Sequence, residues 1–217
     1  MDIEQIINLL SKEVNTFQAP IKDFEKIQTK EPFKVLVATI LSSRTKDEVT
    51  SQAAKRLFDR VKNPEDLEQL SVSEIEKLIY PVGFYRVKAR NLARLPSALK
   101  EVGGKVPDTM EELLKLPGVG RKTANLVLSR AFGKPAICVD THVHRLVNMW
   151  GFVHSKTPEQ TEDALKKLLP LHLWSQVNPT LVAFGQKVCK PKSPRCTCCP
   201  LSSWCSSSTI DDPNSSF

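Results

Sequence analysis

No stretch of this chain stays apolar for long enough to cross a bilayer. Runs such as "VLVATIL" (35–41) fall far short of the roughly 20 residues that a spanning helix needs. The opening "MDIEQIINLLSKEV" has an early acid pair, and its apolar residues Ile3, Ile6, Ile7 and Leu10 recur at helical spacing. It reads as an amphipathic helix and not as a secretory leader. Convincing strand alternation is missing throughout, and so is any internal repeat or low-complexity segment of consequence, which excludes sheet-based and solenoid folds. A disulfide framework is missing too. Of six cysteines, five lie between Cys189 and Cys205, whereas a framework would be spread along a short secreted chain. Clustering of this kind points to a metal site in a reducing compartment, and the protein is expected to be intracellular.

What remains is ordinary for a globular chain: 217 residues, 41% hydrophobic and 25% charged, enough for one sizeable core or two small ones. The net charge of +7 favours a polyanionic partner. Helix signals fill the sequence. "EPFKVLVATILSS" places Pro32 at a first helical position, and "KDEVTSQAAKRLFDRV" spaces Val49, Ala53 and Leu57 on one face. "NPEDLEQL" and "NPTLVAFGQKV" each open with an Asn cap followed by Pro. Asp108 with Glu111, and Thr157 with Gln160, stand at capping-box spacing. Gly103 and Gly104 mark a loop, and Pro96 is expected to kink or end a helix. About ten helices joined by short turns make the class all-α. The tail "SSSTIDDPNSSF" lacks apolar content, and disorder is expected over 207–217.

The stretch "LPGVGRKTANLVL" (116–128) is the most informative in the chain. Gly118 and Gly120 permit positive φ and close approach by another molecule, at a turn that opens a helix. Backbone N–H groups beside the positive end of a helix dipole make an anion site, and on a basic chain the natural anion is a phosphate. A simple helix–helix connection is the alternative. Lys122, beside Arg121, sits where helix stability would favour an acid. The same misplacement disfavours the ammonium form, and a neutral amine is a nucleophile able to form a Schiff base. A lysine that only contacts phosphate is the plainer reading. Downstream, "AICVDTHVHR" sets Asp140 at the start of a further helix. There it is an N-cap, or a carboxylate that stabilises a developing cation.

Cys189, Cys196, Cys199 and Cys205 read C-x6-C-x2-C-x5-C. Zinc ribbons present two C-x2-C knuckles well apart, and here only one such pair exists, so the spacing suits an iron–sulfur cluster better than zinc without deciding between them. Lys190, Lys192 and Arg195 stand between the first two cysteines, either as a solvated face or as cations that offset the thiolates and reach phosphates. Cys138 and Cys198 lie outside the pattern and read as unligated thiols.

Taken together, "LPGVGRKTAN", "VDTHVHR" and the cysteine cluster resemble the endonuclease III family of helix-hairpin-helix DNA glycosylases. The resemblance runs from "ILSSRTKDE" through "GFYRVKARNL" to the cysteines, in family order and spacing. It implies a six-helix barrel domain over 21–133 that contains the hairpin at about 108–132. It implies a [4Fe-4S] cluster domain made of 1–20 and 134–206, with Cys189, Cys196, Cys199 and Cys205 as ligands. DNA would lie across the cleft between the two, where Lys122 and Asp140 meet.

The implied reaction is base excision repair by a bifunctional DNA glycosylase and abasic-site lyase. Its substrate is double-stranded DNA carrying oxidised pyrimidines or abasic sites, met in the cytoplasm or nucleoid by a monomer. Lys122 would attack C1′ of an extruded nucleotide and Asp140 would stabilise positive charge on the sugar. Val82 and Phe84 in "YPVGFYR", and Arg44 in "LSSRTKD", match the positions that fill the vacated space; core packing is the plain alternative for Val82 and Phe84. Gly118, Gly120, Arg121, Lys190, Lys192 and Arg195 complete the implied DNA contacts. Arg44 departs from the glutamine common in the family, and as a donor-only group it alters what the opposite base can offer. An adenine glycosylase of the same superfamily usually lacks the lysine and adds a recognition domain beyond the cysteines. A thymine mismatch glycosylase often places tyrosine where Lys122 stands. A non-catalytic hairpin module would have no use for both Lys122 and Asp140.

Overall fold

The computed structural model describes residues 1–17 and 31–208. The expected tail disorder over 207–217 falls almost wholly outside them, as does the expected domain start at residue 21. Among the described residues there are eleven α-helices and two 3-10 turns and no strand. No helix there is long and apolar enough to cross a membrane. The chain divides into two compact units, Pro20–Ala136 and the discontinuous pair Met1–Ala19 with Ile137–Phe217.

The first unit is built around α2 (Pro32–Ser42), in which every residue from Val35 to Leu41 is buried. A helix apolar all round must be enclosed, and it packs against α3 (Asp47–Arg60), α6 (Tyr85–Glu101) and α8 (Arg121–Phe132). The one polar residue within that buried run, Thr39, returns its hydroxyl proton to the Val35 carbonyl at 2.7 Å. The short α4 (Pro64–Glu68) lies on α6, and α5 (Val72–Ile79) lies on α3 and α6. Asn63 caps α4 and Ser71 caps α5 through a complete capping box. Leu36, Leu41, Leu57, Leu92 and Leu95 are wholly buried at the centre, each worth about 1.5–3 kcal/mol of apolar burial.

Pro96 does not end its helix. α6 continues to Glu101 and stops where Gly103 and Gly104 take positive φ, with the Gly104 N–H donating to the Leu99 carbonyl at 2.8 Å. The proline removes one helical N–H and is itself buried, on a helix whose Leu92, Leu95 and Leu99 are also buried.

The second unit centres on α11 (Trp174–Lys187), packed against α1 (Ile3–Val14) and α9 (Thr141–Met149), with α10 (Pro158–Leu168) against α9. Asp2 and Gln5 form the capping box of α1, and Thr157 caps α10. The expected helix start at Asn178 is wrong. α11 begins at Trp174, so Asn178 and Pro179 lie within it, and the Asn178 amide donates instead to the Cys138 carbonyl at 3.2 Å. Gly185 is a point of close approach between α9 and α11. A Cβ there would lie 2.6 Å from Nδ1 of His142.

Candidate functional site

The hairpin lies in the first unit. Its leading helix is a single turn, α7 (Met110–Leu113), and the sequence misplaces its cap by one residue. Thr109 and not Asp108 is the N-cap, receiving the Glu112 N–H at 3.4 Å and donating to the Glu112 carboxylate at 3.0 Å. Asp108 is taken by Lys134 at 2.7 Å, an ion pair that ties the entrance of α7 to the second residue after α8 and holds the Asp108 carboxyl below its usual range.

The turn from α7 to α8 passes through Gly118, at φ +80°. A Cβ at this position would lie 2.9 Å from Nδ2 of Asn91, so the turn is seated directly on α6. Gly120 is the N-cap of α8 and supplies no side-chain oxygen to its first turn, which holds Arg121 and Lys122 and no acid. Gly118, Gly120, Arg121 and Lys122 are all exposed, while Thr123 to Leu128 are buried. The helix therefore presents its positive end and two cations outward from an anchored body.

Two further loops of this unit come together. Arg44 follows α2 with φ +52°, and Phe84 is the N-cap of α6 with φ +56°. Both are exposed, Phe84 by 61%, and the Arg44 guanidinium carbon lies 5.6 Å over the centre of the Phe84 ring. Left-handed backbone in two bulky residues costs about 1–3 kcal/mol each and persists only where surrounding structure dictates it. The sequence offered core packing as the alternative for both Val82 and Phe84, and they divide. Val82 is 1% exposed in the core beneath the loop, so it has no surface to insert anywhere.

In the second unit Asp140 is half-buried at the N-terminus of α9, and its Oδ1 accepts the N–H groups of His142 and Val143, both at 2.9 Å. The cap uses a single oxygen of the carboxylate.

The cysteine segment wraps a cavity of about 220 Å³. Cys189, Cys196, Cys199 and Cys205 line it, while Cys198 is exposed and donates to the Arg195 carbonyl, and Cys138 is buried elsewhere. Trp204, next to Cys205, stacks on Phe152 at 5.5 Å, which anchors the end of the segment to the unit. Burial pushes the Cys189 and Cys199 thiols up. Thiolate at these positions therefore calls for a bound cationic centre. The four thiols line this one chamber, a donor set of a kind that holds a metal centre. Lys190 and Arg195 also line the cavity, and Lys192 is exposed beside it.

The sequence matches the HhH-GPD superfamily of base excision DNA repair proteins over residues 37–171. Endonuclease III of Thermotoga maritima is 51% identical over 176 residues, which cover 81% of this chain and 83% of the relative. The chain belongs to the endonuclease III family. The structure of a non-covalent endonuclease III–DNA complex superposes with a TM-score of 0.84 at 37% identity, covering 94% of each chain. A trapped endonuclease III–DNA covalent intermediate, an estranged-adenine complex, gives 0.80 at 38% identity, covering 95% of this chain and 97% of the other.

Two residues of the endonuclease III framework escape the sequence reading. Arg145 donates to Cys189 Sγ at 3.7 Å and to the Cys189 carbonyl at 2.6 Å, bringing a fixed cation to the cavity wall. Its place one turn after Asp140 in "DTHVHR" was the available signal. Asn91, which seats the hairpin, carries none beyond its place on α6.

Proposed function

We propose that this chain excises oxidised pyrimidines from duplex DNA, as a bifunctional glycosylase and abasic-site lyase with Lys122 as nucleophile. The observation that carries the reading is the placement of Lys122. An exposed amine stands in the first turn of a glycine-capped helix, where fold stability would select an acid.

A base within a stacked duplex hides its sugar carbon, so the nucleotide must first be extruded. Arg44 and Phe84 form the exposed pair suited to fill the gap, the ring stacking between neighbours and the guanidinium facing the orphaned base. The exposed turn at Gly118, Gly120 and Arg121 holds a backbone phosphate and sets the register. The Lys122 amine then attacks C1′. A C–N bond forms as the glycosidic bond breaks, and the base leaves with its electron pair and takes up a proton. Asp140 offers negative charge to the oxocarbenium-like sugar. Ring opening gives a Schiff base, which acidifies C2′. Loss of that proton expels the 3′ phosphate by β-elimination, and water then hydrolyses the imine to free Lys122.

Cys189, Cys196, Cys199 and Cys205 would hold a [4Fe-4S] cluster, with Arg145 offsetting its charge. When bound, the cluster is a structural scaffold that presents Lys190, Lys192 and Arg195 to phosphates, in a reducing intracellular compartment that keeps the thiols available.

The test is a panel of duplexes, each with one lesion and a varied opposite base, scored separately for base release and for strand cleavage. Release and cleavage of oxidised pyrimidines in step are expected. Base release without cleavage would remove the lysine mechanism, and activity confined to mismatched thymine or adenine would replace the substrate class.

A further inference from the structure

Lys88 is 6% exposed, on the face of α6 that also buries Leu92, Leu95 and Leu99. A buried ammonium is unfavourable, and its environment pushes Lys88 down to about 8. A methionine or leucine would fill the same space without that penalty, so the charge calls for an explanation.

Its hydrogen bonds supply one. The ammonium has three protons and three acceptors: the Leu41 carbonyl at 2.8 Å, the Ser43 carbonyl at 2.5 Å and the Thr45 hydroxyl oxygen at 3.2 Å. These residues flank Arg44 on both sides. The Thr45 oxygen also accepts the Gly83 N–H at 3.1 Å and gives its own proton to the Ser43 carbonyl at 3.2 Å, so every site on that hydroxyl is used. Gly83 precedes Phe84, and a Cβ on it would lie 2.5 Å from the Arg44 carbonyl oxygen. The two loops therefore touch backbone to backbone. Lys88 fastens them from below and Thr45 joins them.

We infer that Lys88 is a positioning residue for lesion reading. Its ammonium, through Leu41, Ser43 and Thr45, fixes the loop of Arg44 against the turn of Phe84, so that guanidinium and ring meet DNA as one preset pair. This rests on the reading of Arg44 and Phe84 given under Proposed function. The left-handed backbone at both residues is what such a fastening has to hold in place. Without it the loops relax separately, and part of the binding free energy goes to ordering them on the duplex.

The experiment uses the full chain and a duplex carrying 2-aminopurine opposite a tetrahydrofuran abasic analogue, which the lyase step does not cleave. A rise in 2-aminopurine emission on binding reports unstacking of the orphaned base, anisotropy gives duplex affinity, and urea unfolding gives stability. Lys88→Met keeps the volume and removes the charge. It is expected to lose most of the emission rise at saturating protein, about a tenfold drop in the inserted population, while the urea midpoint stays at or above that of the parent. Thr45→Val, at a half-exposed position, tests the same link and is expected to give the same loss should Lys88→Met fail to fold. The double variant is expected to be no worse than either single, because both remove one connection.

A full emission rise in Lys88→Met or Thr45→Val overturns the inference. So does a fall in emission matched by an equal fall in stability, the mark of a residue that only supports the fold. Arg44→Gln and Phe84→Ala separate the two levels. If the parent protein gives no rise, or these variants leave it intact, the reading of Arg44 and Phe84 falls and takes the inference with it. If they abolish the rise and Lys88→Met does not, only the inference falls.

Discussion

Gly118→Ala perturbs the hairpin in two separable ways. The φ of +80° is a left-handed conformation that an L side chain leaves at a cost of about 1–2 kcal/mol. The new Cβ would also stand 2.9 Å from Nδ2 of Asn91 and 3.3 Å from its Cβ, which forces the amide aside for on the order of 1 kcal/mol more. The total of about 2–3 kcal/mol corresponds to a fall in Tm of about 4–12 °C in a chain of this length. DNA affinity should fall with it, because the turn that presents Gly120, Arg121 and Lys122 can no longer sit on α6. Adding Asn91→Ala removes the amide at 2.9 Å and keeps the Cβ at 3.3 Å, so it should return most of the contact share and leave the backbone share. The assay pairs thermal unfolding by circular dichroism with anisotropy on a duplex containing an abasic analogue. A Gly118→Ala protein that melts within a degree of the parent would refute the reasoning, and so would full rescue by Asn91→Ala, since that leaves nothing for the backbone.

Ser in place of Cys189, Cys196, Cys199 or Cys205 should reduce bound iron and the broad absorption near about 400 nm, whereas Cys198→Ser should leave both intact; iron analysis and spectra decide this. For Lys88, the folded value of about 8 lies below the ordinary 10.5, so the unfolded chain binds more protons between these limits. The penalty is complete below about pH 8 and is relieved as pH rises toward 10.5, by up to about 3 kcal/mol less what the three hydrogen bonds return. Urea unfolding across that window should therefore show a shallower rise of stability with pH in Lys88→Met than in the parent. Arg44, a donor-only group, should favour guanine over adenine opposite the lesion, because guanine offers O6 and N7 together; the excision ratio should shrink in Arg44→Gln. Equal rates opposite both purines, unchanged in the variant, would show that Arg44 does not read the base.

The all-α class was legible because helix caps are local chemistry. Pro32, Asn63 and Thr157 stand at helix starts as their sequence context implies. Two readings failed where packing or a partner outweighed local preference. Asn178 and Pro179 lie inside α11 and do not open it, and Asp108 is drawn from capping by Lys134, a residue 26 positions away; α6 also runs through Pro96 without ending there. The motif residues of the hairpin and the cysteine segment stand out because glycines, cations and cysteines at fixed spacing have few other uses. What supports them did not stand out. Asn91 acts across a distance that no local pattern encodes, and the only trace of Arg145 is its place in the "DTHVHR" motif. Lys88 did leave a trace: it shares a helical stripe with Leu92, Leu95 and Leu99, and a lysine on an apolar stripe implies buried acceptors.

Borohydride trapping tests the central claim, that Lys122 forms a covalent imine with the lesion sugar. On a duplex with one oxidised pyrimidine, the parent protein should give a band at the summed mass of protein and DNA, with the modification mapping to Lys122 by peptide mass. Lys122→Gln should bind the same duplex with comparable affinity and give no band, and Asp140→Asn should give the band slowly. A band of undiminished yield from Lys122→Gln would contradict the account, since another amine would then be carrying out the chemistry.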